Sequence, residues 1–214
     1  TLFWPLGKVA FSLLPLAGGR RRATVQEAVI PDKMWTFDQI QGIVNVKVPV
    51  RMTVNRLSDE SGGGLWVHNP VAPTKQLLNM MKELESQYGA VRHIVLGTVA
   101  LEHKATFGAF AQEYPNATVW LQPGQWAFPV DLPIELLGVT QRRKRLRELP
   151  SLLPENHKRK QSTLPKYSNE PPEWGDEIPY EILGPLKFQS VGAFSETAFF
   201  HRPTKTLLVT DTVC

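Results

Sequence analysis

The chain has 214 residues, of which 42% are apolar and 21% charged, and its formal net charge is +4. This composition is typical of a globular protein and excludes a disordered or collagen-like chain. The length fits one large domain, or one domain with an appendage. A single cysteine, Cys214, excludes an intramolecular disulfide framework and a cysteine-rich zinc site. The small net charge gives no reason to expect nucleic-acid binding.

Residues 1–24 are predicted to form a docking arm. Pro5 and Pro15 prevent one long helix, and no apolar run is long enough to cross a membrane. An apolar, tryptophan-bearing stretch with a basic flank suits a membrane interface or the groove of a partner; the alternative is an arm packed on its own domain. The candidate docking residues are Phe3, Trp4, Leu6, Phe11, Leu13, Leu14, Arg20, Arg21 and Arg22. The chain opens with Thr1, so either a targeting segment has been removed or the sequence begins late.

The central part of the chain predicts an α/β fold. Alternating or continuous apolar runs predict strands, and apolar residues at helical spacing predict helices. The predicted strands are residues 42–48, 51–57, 65–68, 91–96 and 118–121, and the predicted helices are residues 74–88 and 103–114. The opening hairpins favour antiparallel pairing, and the later alternation favours parallel crossovers on the same sheet. We therefore expect mixed sheets covered by helices.

The last third combines a charged segment with a hairpin. Residues 141–160 carry eight lysines and arginines, and an acidic stretch follows, so we predict an exposed insertion at about residues 141–179. The alternative is a basic patch that binds phosphate or an acidic partner. Residues 198–201 and 206–210 predict a closing hairpin, with Asp211 at the end of its second strand.

Chemically useful residues follow three of the predicted strands. His68 ends one, Glu102 and His103 come soon after the strand at 91–96, and Asp211 follows the last. Many α/β proteins place their sites at such strand ends, and carboxylates with histidine can hold zinc or iron. The alternative is structural: Glu102 and His103 in the first turn of a helix, and Asp211 in a turn. The chain has no nucleophile elbow, P-loop or dinucleotide fingerprint.

Several phrases of the sequence resemble a known family. MWTFDQIQGI, VPVRMTVNRL, NPVAPT, GTVALEHK and HRPTKTLLVTD are similar to a family of unknown function from oxygenic photosynthetic organisms, regarded as a divergent branch of the metallo-β-lactamase superfamily. The resemblance implies an αββα domain over residues 25–214. Where the superfamily has THxHxDH, this chain reads GTVALEH: Thr98 and Ala100 replace two histidines, Glu102 replaces the aspartate, and His103 is retained. Neither Thr98 nor Ala100 offers a good zinc ligand.

The resemblance implies a non-catalytic accessory or scaffold subunit of a plastid thylakoid complex, most readily a photosystem with its antenna. We expect no catalytic residue and no cofactor. The protein would lie peripherally on the stromal side, bound to protein subunits and to the membrane surface or lipid through residues 1–22. The alternative is a metal-dependent hydrolase with zinc or iron in a rebuilt site around His68, Glu102, His103 and Asp211. A third hypothesis is a module that binds a small molecule, lipid or pigment in the former active-site cleft.

Overall fold

The computed structural model describes residues 23–43, 46–125, 145–150, 170–188 and 192–212. All the predicted docking residues of the arm therefore lie outside the described residues. The strands are β1 (Val25–Ile30), β2 (Met34–Ile43), β3 (Val46–Arg56), β4 (Leu65–His68), β5 (Val91–Leu96), β6 (Thr118–Leu121), β7 (Leu146–Glu148), β8 (Tyr180–Phe188), β9 (Gly192–His201) and β10 (Thr206–Leu208). The helices are α1 (Lys75–Tyr88) and α2 (Leu101–Glu113).

The strands form two sheets. The larger sheet has seven strands in the order β1 to β7, and the smaller has three in the order β10-β9-β8. Strands β1 to β4 pair antiparallel, whereas β4 to β7 pair parallel. The prediction of antiparallel hairpins and parallel crossovers in one mixed sheet is confirmed. The chain is therefore an α/β protein in this general sense.

Two apolar cores lie on opposite faces of the large sheet, because successive side chains of a strand point to opposite faces. In β4, Leu65 and Val67 join the core that contains the buried faces of α1 and α2. Trp66, between them, joins the second core, which contains Phe199 and other residues of the small sheet. The large sheet is thus a middle layer, with both described helices on one face and the small sheet on the other.

Helix α1 has clear start and stop signals. The Thr74 hydroxyl accepts a hydrogen bond from Leu77 N at 3.2 Å, as an N-cap residue does. Leu77, Met81 and Leu84 form the buried face. Gly89 ends the helix with φ +96°, a conformation that disfavours other residues. No helix in the described part of the chain is long and apolar enough to cross a membrane.

Main-chain hydrogen bonds join the two sheets beyond the end of β5. Thr197 N donates to Gly97 O at 2.7 Å, and Val99 N donates to Ser195 O at 3.1 Å. Between these bonds, Thr98 forms an isolated bridge with Glu196 of β9. The polar end of the parallel strands is therefore fixed directly against the small sheet.

Two predictions about the elements are wrong. Residues 42–48 are not one strand, since β2 ends at Ile43 and β3 begins at Val46. The segment at 141–179 is not wholly exposed, because Leu146 of β7 and Trp174 are core residues. The charged residues of β7 made this strand hard to recognise in the sequence. Arg147 extends across the Trp120 ring, 5.7 Å from its centroid, while the main chain of β7 pairs with β6.

His93 lies within an aromatic cluster in the second core. Trp174 is its centre, and its ring contacts those of Trp66 and Trp120 at centroid distances of 5.5 and 5.7 Å. Trp120 Nε1 donates to His93 Nδ1 at 3.2 Å, and His93 Nε2 lies 3.0 Å from Glu173 Oε1. Burial lowers the pKa of His93 to about 4, although Glu173 acts in the opposite direction. His93 is therefore neutral at pH 7.

We expect His93 to make the fold sensitive to acid. The neutral form is favoured in the folded state, so its stabilisation is complete above the unfolded pKa of about 6.5 and is lost as pH falls towards about 4. Between pH 7.5 and 4.5 this one group should reduce the free energy of unfolding by about 2–3 kcal/mol. Urea unfolding at both pH values measures the change.

The matched variant for this test is His93→Gln, which keeps an acceptor for Trp120 Nε1 but does not titrate. The variant should lose about 2–3 kcal/mol less than the wild type over the same pH interval. An equal loss in both proteins would contradict the assignment.

Candidate metal centre

Three of the four residues in the predicted rebuilt site come together. Glu102, His103 and Asp211 each present one ligand atom, and these atoms all lie within 4.8 Å of one another. His103 is buried, Glu102 is half-buried and Asp211 is exposed. We call these three residues the Glu–His–Asp cluster. It lies where the chain leaves β5 for α2, beside the residues that follow β10.

The first turn of α2 is held by side chains that donate to, or accept from, its backbone. Thr98 Oγ1 accepts from the N-cap residue, Ala100 N, at 3.1 Å. Gln41 of β2 donates from Nε2 to Glu102 O at 2.9 Å. The positive end of the helix dipole favours a carboxylate in this turn. The predicted placement of Glu102 and His103 in the first turn is confirmed.

Asp211 is held by residues from both sheets. Glu196 of β9 accepts from Asp211 N at 2.9 Å through Oε2 and from Thr210 N through Oε1. Asn69, which follows β4, donates from Nδ2 to Thr210 Oγ1 at 2.7 Å. Its Oδ1 accepts from Gly97 N at 2.9 Å, and its φ of +47° aims the side chain between these partners. The turn carrying Asp211 is therefore tied to the end of β4 and to the middle of β9.

The cluster shifts the protonation of its own members. Although Asp211 is exposed as a residue, partial desolvation of its carboxylate raises its pKa to about 6, and the charges of Glu102 and Glu196 add to the effect. Burial lowers the pKa of His103, against the opposing influence of the same two carboxylates. At pH 7 the dominant forms are therefore a neutral His103 imidazole and an ionised Asp211 carboxylate. These are the protonation states that metal ligation requires.

His68, the fourth predicted residue, belongs to the apolar core beside the cluster. Its ring stacks on Trp66 at 5.8 Å between centroids and meets Phe199 edge-on at 5.1 Å. Within the described residues, its Nε2 has no hydrogen-bond partner. Burial lowers the pKa of His68 to about 3, with a smaller contribution from His103. The imidazole is therefore neutral and serves as packing.

His201, at the end of β9, lies apart from the cluster. Its Nδ1 is 2.6 Å from Thr204 Oγ1, and its Nε2 is 3.6 Å from Glu177 Oε1. Glu177 also accepts from Ser58 N and Ser58 Oγ, so the pair ties the end of β9 to the turn before β4. His201 is thus a structural residue of another region.

The sequence interpretation missed Asn69 and Glu196, which support the cluster, and Gln122, which joins β6 to β9. Asn69 and Gln122 each directly follow a buried strand, but amides are not usual catalytic groups. Gln122 Nε2 donates to Ser195 Oγ at 2.7 Å, and its Oε1 accepts from Thr197 Oγ1. Glu196 could have been noticed as the single charged residue in the run GAFSETAFFH. A buried carboxylate in a strand requires hydrogen-bond donors, and the donors to Glu196 are Thr210 N and Asp211 N.

Gly97 must be small because His68 fills the space beside it. A Cβ at this position would lie 2.5 Å from His68 Nε2 and 3.0 Å from Phe199 Cε2. We expect Gly97→Ala to lower the free energy of unfolding by about 1–3 kcal/mol, as overpacking of a core does. Urea unfolding of Gly97→Ala, His68→Ala and the double variant measures the effect.

Truncating His68 removes the closest contact, so the double variant should lose less stability than the sum of the single variants, by at least about 0.5 kcal/mol. Strict additivity would show that His68 does not restrict position 97.

Comparison with known proteins finds a family of unknown function. A family model described as "Domain of unknown function (DUF4336)" matches residues 31–214. No curated protein matches the chain. The match begins within the β1–β2 hairpin and includes every residue of the Glu–His–Asp cluster. The chain belongs to the DUF4336 family.

Proposed function

We propose that this protein is a metal-dependent hydrolase with a divalent ion held by Glu102, His103 and Asp211. The observation that carries the proposal is the approach of three ligand atoms, within 4.8 Å of one another, from two distant parts of the chain. It favours the rebuilt metal site over the metal-free scaffold that the replacements at Thr98 and Ala100 predict.

The donor set and its spacing fit a first-row divalent ion. Zinc binds histidine nitrogen and carboxylate oxygen at about 2.0–2.2 Å, so tetrahedral ligand atoms lie about 3.4 Å apart. The largest separation in the cluster is 4.8 Å, and small rotations of Glu102 and Asp211 would close the difference. One imidazole with two carboxylates suits zinc, and iron or manganese as well.

The exposure of the cluster suits catalysis better than a purely structural site. Three protein ligands leave at least one coordination position open, whereas structural zinc sites use four. Asp211 is exposed and Glu102 half-buried, so a substrate can approach from their side. When bound, such an ion supplies Lewis-acid chemistry to an ester, amide or phosphate bond.

The fold supports the proposal at a second level. Two sheets pack face to face with helices outside the large sheet, and the cluster lies where the parallel strands end. We propose that this arrangement is the part of a divergent metallo-β-lactamase-like αββα domain formed by the described residues, in which the helices cover the large sheet. In that alignment His103 keeps the last histidine of the motif, Glu102 keeps a carboxylate, and Asp211 corresponds to the later metal-ligating aspartate.

Metal titration of the purified full chain tests the proposal. We expect one zinc ion per chain, and His103→Ala and Asp211→Asn should each weaken binding by at least about tenfold because they remove a ligand. The matched control is Glu113→Gln, at the exposed C-terminal end of the same helix, which should bind zinc like the wild type. Absence of stoichiometric metal, or unchanged affinity in His103→Ala, would return the chain to the metal-free scaffold hypothesis.

A second candidate function rests on the composition of residues 1–22. We propose that this arm attaches the domain to a membrane or to subunits of a membrane complex, as expected for an accessory protein on the stromal side of the thylakoid. Its apolar side chains and the flank Arg20–Arg21–Arg22 support this role. Docking and catalysis are compatible, since the arm precedes the domain that contains the cluster.

Deletion of residues 1–22 should abolish membrane association and leave the domain folded. Burial of an apolar side chain contributes about 1.5–3 kcal/mol before entropy is subtracted, so the arm can dominate binding. Co-sedimentation with neutral and anionic lipid vesicles measures the effect, with circular dichroism for folding. Full association of the shortened chain would refute the docking role. A variant with Arg20, Arg21 and Arg22 changed to Gln should lose binding to anionic vesicles more than to neutral ones.

A further inference from the structure

We infer that Glu196 is a positioning residue that sets the place of Asp211 in the Glu–His–Asp cluster. The inference rests on the proposed metal site, for which Glu102, His103 and Asp211 are the ligands. Glu196 does not belong to the group of ligand atoms within 4.8 Å. Glu196 acts on Asp211 by binding the main chain of the turn after β10.

The first step of the argument is the burial of Glu196. Its side chain is 0% exposed, and an ionised carboxylate in such a place requires donors. Thr210 N and Asp211 N each donate to one of its oxygens, the second at 2.9 Å. Hydrogen bonds that involve a charged group are about twice as strong as neutral ones. The carboxylate therefore holds two consecutive amides of the turn.

The second step concerns how the turn after β10 would be held if Glu196 did not bind these two amides. Strand β10 ends at Leu208, so Asp211 lies beyond the ladder that pairs β10 with β9. The side chain of Glu196 extends the attachment by three residues past the last paired position. Asn69 supplies a second tether through Thr210 Oγ1 at 2.7 Å. Without Glu196, Thr210 N and Asp211 N would lose their two hydrogen bonds to β9, and the neutral Asn69 contact would remain.

The third step connects Glu196 to the other two ligands. The same residue bridges Thr98 through its main chain, and its neighbour Ser195 accepts from Val99 N. Residues 98 and 99 lead directly into α2, which carries Glu102 and His103. One residue of β9 thus links to the start of α2 through its backbone and to Asp211 through its side chain. Glu196 therefore sets the distance between Asp211 and the two ligands on α2, Glu102 and His103.

Two substitutions separate position from charge. Glu196→Asp keeps the charge but is too short to reach both amides, and Glu196→Gln keeps the length but loses the charge and one acceptor oxygen. Thr197→Val is the matched control, because Thr197 lies next to Glu196 on β9. It removes a buried hydroxyl that donates to Gln122 and leaves the Glu–His–Asp cluster unchanged. The measurements are amide hydrogen exchange at Thr210 and Asp211 in the metal-free full chain, zinc affinity by chelator competition, and thermal stability.

We expect both Glu196 variants to exchange these two amides at least about tenfold faster and to weaken zinc binding by about 10–100-fold, as loss of an outer-shell partner does. Thr197→Val should lower the melting temperature and keep the zinc affinity. Glu196→Asp with wild-type exchange or wild-type affinity would overturn the inference, even if Glu196→Gln fails to fold. If the wild-type chain binds no zinc, the proposed function fails. Exchange at the two amides then still decides whether Glu196 holds the turn.

Discussion

The pairing of residues 97–99 with β9 is the constraint on which the rest of the structure depends. Two main-chain hydrogen bonds and one bridge close the gap between the sheets at this point. They explain why Gly97 carries no side chain, because the backbone must pass next to His68 and Phe199. They also bring the first turn of α2 close to the turn after β10. The candidate metal centre is a consequence of this junction.

The same junction explains what Thr98 does. Its hydroxyl accepts a hydrogen bond from Ala100 N, just before α2, and its carbonyl accepts from Gln125 Nε2 at 2.9 Å. Thr98 is 0% exposed, so the side chain is committed to the junction and is not presented to a ligand. Thr98 is thus a structural residue, whereas Glu102, His103 and Asp211 present carboxylate and imidazole groups to one another.

Local patterns predicted much of the fold. Strands β4, β5 and β6 and helix α1 follow from apolar runs and from caps such as Thr74, because these signals are local. The break between β2 and β3 was missed because apolar and polar residues keep alternating from Val44 to Val48, although Asn45 is a residue type that turns favour. Strand β7 was missed because its charged residues dominate the composition, although Leu146 is core.

The candidate site could be predicted only in part. Strand ends drew attention to His68, Glu102, His103 and Asp211, and three of the four come together. Sequence alone could not exclude His68, since only packing against Trp66 and Phe199 shows that its ring belongs to the core. The supporting roles of Asn69 and Glu196 depend on contacts between distant segments, which no local pattern encodes.

The gathering of indole rings around Trp174 has an optical consequence. Trp66 and Trp120 lie close enough to Trp174 for excitation to pass between the three rings, and neutral His93 lies beside Trp120 and Trp174. These rings come from β4, β6 and the segment before β8, so light absorbed by one reports on the contact of all three. The fluorescence of these three tryptophans therefore reports whether the segment before β8 remains packed on β4 and β6.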